Sequence, residues 1–109
     1  MTHKEVATIV RSIGLPFAYY QFPEGTEMAP PFVVYFYTAP DDLMADNKNY
    51  LRIETLNIEL YTADKDFNQE AALESILTEN GFTYYKEENY IDSEKMFQIA
   101  YEMEVIING

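Results

Sequence analysis

The hydrophobic positions along this chain change period several times, and each change marks an element. Val6, Ile9, Val10 and Ile13 recur at i, i+3, i+4 and i+7, which predicts a helix over Thr2–Ile13 with one apolar stripe. Thr2 and Glu5 have capping-box spacing, so the threonine side chain can accept from the amide three residues on while the glutamate reaches back. Gly14 suits a left-handed helix ending and Pro16 cannot continue the helix. A short strand is expected over Phe17–Gln21, then a loop over Phe22–Pro31 containing Pro23, Gly25, Pro30 and Pro31. Phe32–Thr38 reads FVVYFYT, apolar at nearly every position, the pattern of a strand covered on both faces.

Ala39–Asn49 is a polar loop with Asp41, Asp42 and Asp46. Tyr50–Thr62 is a long strand pattern whose apolar residues fall in two phases, Leu51 and Ile53 in one and Leu56, Ile58 and Leu60 in the other. Side chains alternate faces, so burying both sets on one side requires a bulge near Glu54–Thr55. A second helix is predicted over Phe67–Asn80, capped by Asp66, with Ala72, Leu73, Ile76 and Leu77 as its buried stripe and Gly81 ending it as Gly14 ends the first. Phe82–Glu88 is a strand, Asn89–Lys95 a connection, and Met96–Ile107 the last strand. There Phe97, Ile99, Tyr101, Met103, Val105 and Ile107 alternate with Gln98, Ala100, Glu102 and Glu104. The order α-β-β-β-α-β-β predicts an α+β fold: a mostly antiparallel five-stranded sheet with two helices, in a single domain spanning residues 1–109.

Composition narrows the chemistry. Apolar residues make up 48% and charged residues 24%, the balance of a folded chain with a core. There is no cysteine, which excludes disulfides, thiolate nucleophiles and thiolate metal sites. The single histidine, His3, lies in the opening turn of the first helix, where an exposed terminal residue is expected rather than a base. Ser12, Ser75 and Ser93 sit in no nucleophile-elbow context, and the four glycines are too scattered to cradle a phosphate. Asp41, Asp42 and Asp46, and Asp64 and Asp66, lack calcium-loop spacing and read as turn and cap residues. No catalytic, metal or cofactor-binding residue is therefore expected, and the chain reads as a non-enzyme. No apolar run has the length of a transmembrane helix, and the N-terminus lacks the pattern of a secretory signal. Seven basic against 19 acidic residues give a net charge of −12, which disfavours binding to phosphate backbones and anionic membranes.

The aromatic surplus says more. Ten tyrosines and seven phenylalanines include the adjacent pairs Tyr19–Tyr20 and Tyr84–Tyr85, whose members must point to opposite faces of a strand. Two helices cover one face of a five-stranded sheet, yet FVVYFY calls for cover on both. Either loops of the same chain or a partner subunit must supply it. The candidate contact residues are Phe22 and Met28 in the first loop, Met44 in the second, and Tyr84, Tyr85 and Tyr90 near the last hairpin. A charge placed at Phe22 or Met28 is expected to impair assembly with little loss of thermal stability.

Three stretches carry a family resemblance over about Thr2 to Ile107: GLPFAYYQFPEGTEMAPPFVVYFY with its Pro30–Pro31 strand start, ELYTADKDFNQEAALESIL turning into the second helix, and the closing YYKEENYIDSEKMFQIAYEMEVI. Together they resemble the tail-completion, or tail-terminator, proteins of long-tailed phages and of prophages in Gram-positive bacteria. The resemblance implies an α+β virion subunit forming a homo-oligomeric ring, usually a hexamer, on the head-proximal end of the tail tube. Its partners would be the major tail protein and the neck or head-closure proteins. DNA would pass through the ring without being bound, an acidic wall repelling it. The place of action would be the virion, and the host cytoplasm during assembly. A head-closure or head–tail joining subunit is the nearest alternative. A small acidic DNA-mimic inhibitor is one of another class, although its acids would have to crowd one face, and these alternate with core residues.

Overall fold

A computed structural model describes residues 1–38 and 52–108. The elements follow the expected order: helix α1 (His3–Arg11), strands β1 (Phe17–Tyr19), β2 (Phe32–Thr38) and β3 (Arg52–Thr62), helix α2 (Phe67–Glu79), and strands β4 (Tyr84–Ile91) and β5 (Met96–Ile107). The strands form one five-stranded sheet in the order β1-β2-β3-β5-β4. Among the described residues only the short edge strand β1 runs parallel to its neighbour; the β2–β3, β3–β5 and β4–β5 pairs are antiparallel. The fold class is α+β, as the sequence pattern predicts. The expected loop over 39–49, and Tyr50 and Leu51 of the expected third strand, lie outside the described residues.

Local chemistry sets the helix ends. Thr2 Oγ1 accepts from Glu5 N at 3.1 Å and Glu5 Oε1 accepts from Thr2 N at 2.7 Å, completing the capping box. Asp66 Oδ1 accepts from Gln69 N at 2.9 Å and starts α2. At the other end of α2, Gly81 takes φ +82°, and Phe82 N reaches back to Leu77 O at 3.0 Å. The first helix ends differently from the second. Ser12 caps it and two tight turns, Ile13 N to Val10 O and Gly14 N to Arg11 O, follow before Gly14 turns the chain.

Both helices pack on one side of the sheet. Val6 and Val10 of α1 and Leu73 and Leu77 of α2 meet Val33, Tyr35, Leu56, Ile58, Leu60, Ile99, Tyr101, Met103, Val105 and Ile107 in one core. Two sequence expectations are corrected here. Strand β3 has no bulge: it pairs with β5 without interruption from Arg52↔Ile107 to Thr62↔Phe97. Ile53 therefore points away from the core and is 52% exposed, opposite Ile106 on β5. The stripe of α2 is also shifted, since Ala72 is exposed, Ile76 only half-buried, and the charged Glu70 is buried beside Leu73 and Leu77.

Glu70 is only 2% exposed, and its carboxylate is held between two ammonium groups, Lys65 Nζ at 2.6 Å and Lys86 Nζ at 2.9 Å. Lys86 also meets Glu74 at 2.7 Å, and Lys65 pairs with Glu88. The Tyr101 hydroxyl donates to Glu74 at 2.7 Å. One network thus ties α2 to β4 and β5. Burial by itself pushes the Glu70 carboxyl up; the Lys65 and Lys86 ammonium groups outweigh it and hold it below the usual carboxylate range. Burial, helped by the bond to Glu74, pushes the Tyr101 phenol well up, so it stays a donor at neutral pH.

A depressed folded-state pKa means that the stability this ionisation contributes is complete above the ordinary carboxylate pKa, about 4.3, and is lost as pH falls through and below it. Urea unfolding of the wild type should therefore weaken from pH 5 downwards. Glu70→Gln, which leaves two lysines facing a neutral amide, should cost about 3 kcal/mol at pH 7 and flatten the acid limb. A second check concerns the strand register: Leu56→Ala should cost about 2–5 kcal/mol, whereas Ile53→Ala should stay within about 0.5 kcal/mol. A large loss at Ile53 would place it in the core and restore the bulge.

Candidate interaction surface

The face of the sheet turned away from the helices follows from alternation. Its residues fall in cross-strand rows: Phe32, Tyr61, Gln98 and Asn89; then Val34, Glu59, Ala100 and Glu87; then Phe36, Asn57, Glu102 and Tyr85; then Thr38, Thr55 and Glu104; and last the pair Ile53–Ile106. Because β1 is parallel to β2, the chain between them must return along the sheet, and residues 20–31 do so over this outer face. Tyr20, held at φ +69°, sets its ring edge-on to Phe36 at 6.0 Å, and Phe22 sets its ring edge-on to Phe32 at 5.4 Å. Phe32 in turn stacks on Tyr61 at 4.8 Å. This cover is local. It leaves Val34 at 6% exposed but Ile53 and Ile106 half-exposed and Tyr85 at 80%.

Between that loop and the β4–β5 turn lies an open cleft of about 680 Å³, with Phe32, Val34, Tyr61, Ile91 and Met96 as its apolar floor and Phe22 and Met28 in its wall. Glu27 and Glu94 stand at its rim. Beyond it a polar chain crosses three strands: Asn89 Nδ2 donates to Gln98 Oε1 at 3.2 Å, Gln98 Nε2 to the Tyr61 hydroxyl at 2.9 Å, and that hydroxyl to Glu59 at 2.9 Å. Burial pushes the Tyr61 phenol up to about 12, so its proton stays in place to hold Glu59. Among the described residues the outer-facing positions of β2, β3, β4 and β5 include Glu59, Glu87, Glu102 and Glu104 and no lysine or arginine.

Phe22 and Met28, singled out in the sequence, come together in the cleft and both are half-buried. Tyr85 lies on the same face at the free edge of the sheet. Tyr84 points to the opposite, helix-covered side, its ring edge-on to Tyr101 at 5.3 Å, and Tyr90 packs edge-on against Phe97 at 4.9 Å while 49% exposed. Met44 lies outside the described residues. Sequence reasoning missed the Ile53–Ile106 pair and the carboxylates beside it. The signal was the two-residue alternation itself, read without a bulge.

His3 sits at the start of α1, 49% exposed in its side chain, with Nε2 2.9 Å from Oε1 of the nearly buried Glu54. Its ring lies edge-on to Tyr37 at 4.8 Å, and Tyr19 and Tyr35 complete the wall of a second hollow of about 430 Å³. Burial pushes the Tyr37 phenol well up, so it supplies no phenolate. The histidine–glutamate contact ties the first turn of α1 to β3.

No family model matches the chain, and no curated protein matches it. Among solved structures it is similar to a chain in the "Virion of native gene transfer agent (GTA) particle", with a TM-score of 0.59 at 15% sequence identity over 94% of this chain and 86% of that chain. The two share a fold, an α+β arrangement that both chains carry nearly end to end.

Phe22 and Met28 differ in what they hold. Phe22→Ala removes a ring packed on Phe32 and should lower stability by about 1–3 kcal/mol. Met28→Glu, at the wall of an open cleft, should shift the urea midpoint by less than about 1 kcal/mol equivalent. Equal, large losses at both would make the loop part of the core rather than the wall of a surface.

Proposed function

We propose that this chain is a structural subunit of a phage-like virion, and more narrowly a tail-terminator (tail-completion) subunit that forms a ring on the head-proximal end of the tail tube and joins tail to head. The observation that carries the reading is the shared fold with a gene transfer agent virion chain over 94% of this chain. The family resemblance of the sequence supports the narrower form. A closed ring needs head-to-tail contacts between two unlike patches, and the chain has unlike surfaces available. One is the solvent side of α2, where Ala71, Ser75 and Thr78 are exposed. Another is the free edge at β4, where Lys86, Glu87 and Glu88 discourage indiscriminate strand pairing. The net charge of −12 suits a subunit past which DNA slides without sticking.

The major tail protein and the neck proteins are the partners this role calls for. Tube assembly measured by electron microscopy, with and without the chain, tests it. Tubes should stop growing and carry a cap at one end, and light scattering should give a ring-sized mass, a hexamer of 12.7 kDa subunits, on the tube or free. Uncapped tubes of unchanged length would overturn the terminator role. Binding to the head-side neck proteins instead would favour the joining subunit.

A further inference from the structure

We propose that the outer sheet face is a docking surface for a segment of a different protein, apolar at its centre and basic at its flanks. The apolar half of the argument is the cleft. Its floor of Phe32, Val34 and Met96 and its wall of Phe22 and Met28 line an open cleft of about 680 Å³, room for several side chains of a partner. Loop 20–31 covers only the β2 end of the face, and the exposed Ile53–Ile106 pair forms a separate apolar patch at its far end.

The charge half decides the occupant. Glu27 and Glu94 stand at the cleft rim, and Glu59, Glu87, Glu102 and Glu104 cover the strands beyond it. Among the described residues no lysine or arginine faces outward from these strands to balance them. A nucleic acid or an anionic membrane is repelled by such a face. A second copy fits poorly as well. It brings a net charge of −12, and of its described cations Arg52, Lys65 and Lys86 are engaged with their own chain's Glu54, Glu70, Glu74 and Glu88, which leaves Lys4, Arg11 and Lys95 against the many carboxylates. Like charges brought together across an interface oppose association, whereas a basic partner gains in both encounter rate and specificity. The occupant that matches both halves places aliphatic or aromatic side chains in the cleft and lysine or arginine beside the carboxylates.

The test uses the full chain and a short synthetic peptide carrying leucine and phenylalanine between lysines, with the same apolar residues between glutamates as its counterpart. Fluorescence anisotropy gives the affinity at low and at high salt, and amide shifts locate the contact. The lysine peptide should bind, perturb Val34, Gln98 and Ala100, and weaken by about tenfold in high salt, where exposed charges are screened. Met28→Gln should weaken it by about fivefold through the cleft, and the double variant Glu102→Lys, Glu104→Lys by about tenfold through the carboxylates on the strands beyond it. Equal binding of the glutamate peptide, or shifts confined to the helix side, would overturn the proposal. So would a fall in the chain's own oligomeric mass caused by the double variant, since the face would then join copies. The wild-type mass is measured in parallel. A ring that persists while the peptide fails to bind removes the docking proposal and leaves the ring reading intact.

Discussion

Strands β3 and β5 pair without a bulge, and nearly everything else in the molecule answers to that. Unbroken antiparallel pairing sends every second residue to each face. From Leu56 to Leu60 and from Ile99 to Ile107 the inward set is apolar and buried, and this is the floor on which both helices rest. The same regularity forces Ile53 and Ile106 outward as a facing pair. It also aligns Glu59, Glu102 and Glu104 on the side the helices do not reach. One geometric rule therefore produces a covered core and an open acidic face.

The distribution of charge follows from how α2 is attached. Its buried stripe is not purely apolar, because Glu70 lies beside Leu73 and Leu77 and is matched by Lys65 and Lys86. A buried carboxylate without such partners would be strongly destabilising, so two of the chain's few cations are committed to the helix side of the sheet. Arg52 is held there as well, by Glu54. The outer face is left with carboxylates, and its own polar chain through Tyr61 and Gln98 keeps Glu59 in place. Stability on one side thus sets the electrostatic character of the other.

The loop between β1 and β2 turns that face into a shaped surface. A parallel neighbour requires the chain to return over the sheet, and residues 20–31 do so with Phe22 on Phe32 and Tyr20 on Phe36. Both possibilities that the sequence left open for covering FVVYFYT bear on this face: the loop shelters Val34 and Phe32, and the remainder stays open to solvent. The cleft lies at the boundary between the two, with Phe22 and Met28 in its wall. Those two residues were legible as candidates because apolar side chains in a proline-rich polar loop have no periodic stripe to join. Glu70 was not legible, since the partners that make its burial tolerable lie on the β3–α2 turn and on β4.

Periodicity, caps and glycine endings determined the elements and their order, because these depend on residues a few positions apart. Thr2 with Glu5, Asp66 at the start of α2, and the alternation of Met96–Ile107 each act locally, and the structure places them as the sequence predicts. The strand order, the parallel edge, the outward turn of Ile53 and the ion network of Glu70 were decided by contacts between residues far apart in the chain. The apolar residues of β3 were compatible with a bulged strand and with a straight one. Pairing along the whole of β5 selected the straight one, and with it the face on which the molecule meets its surroundings.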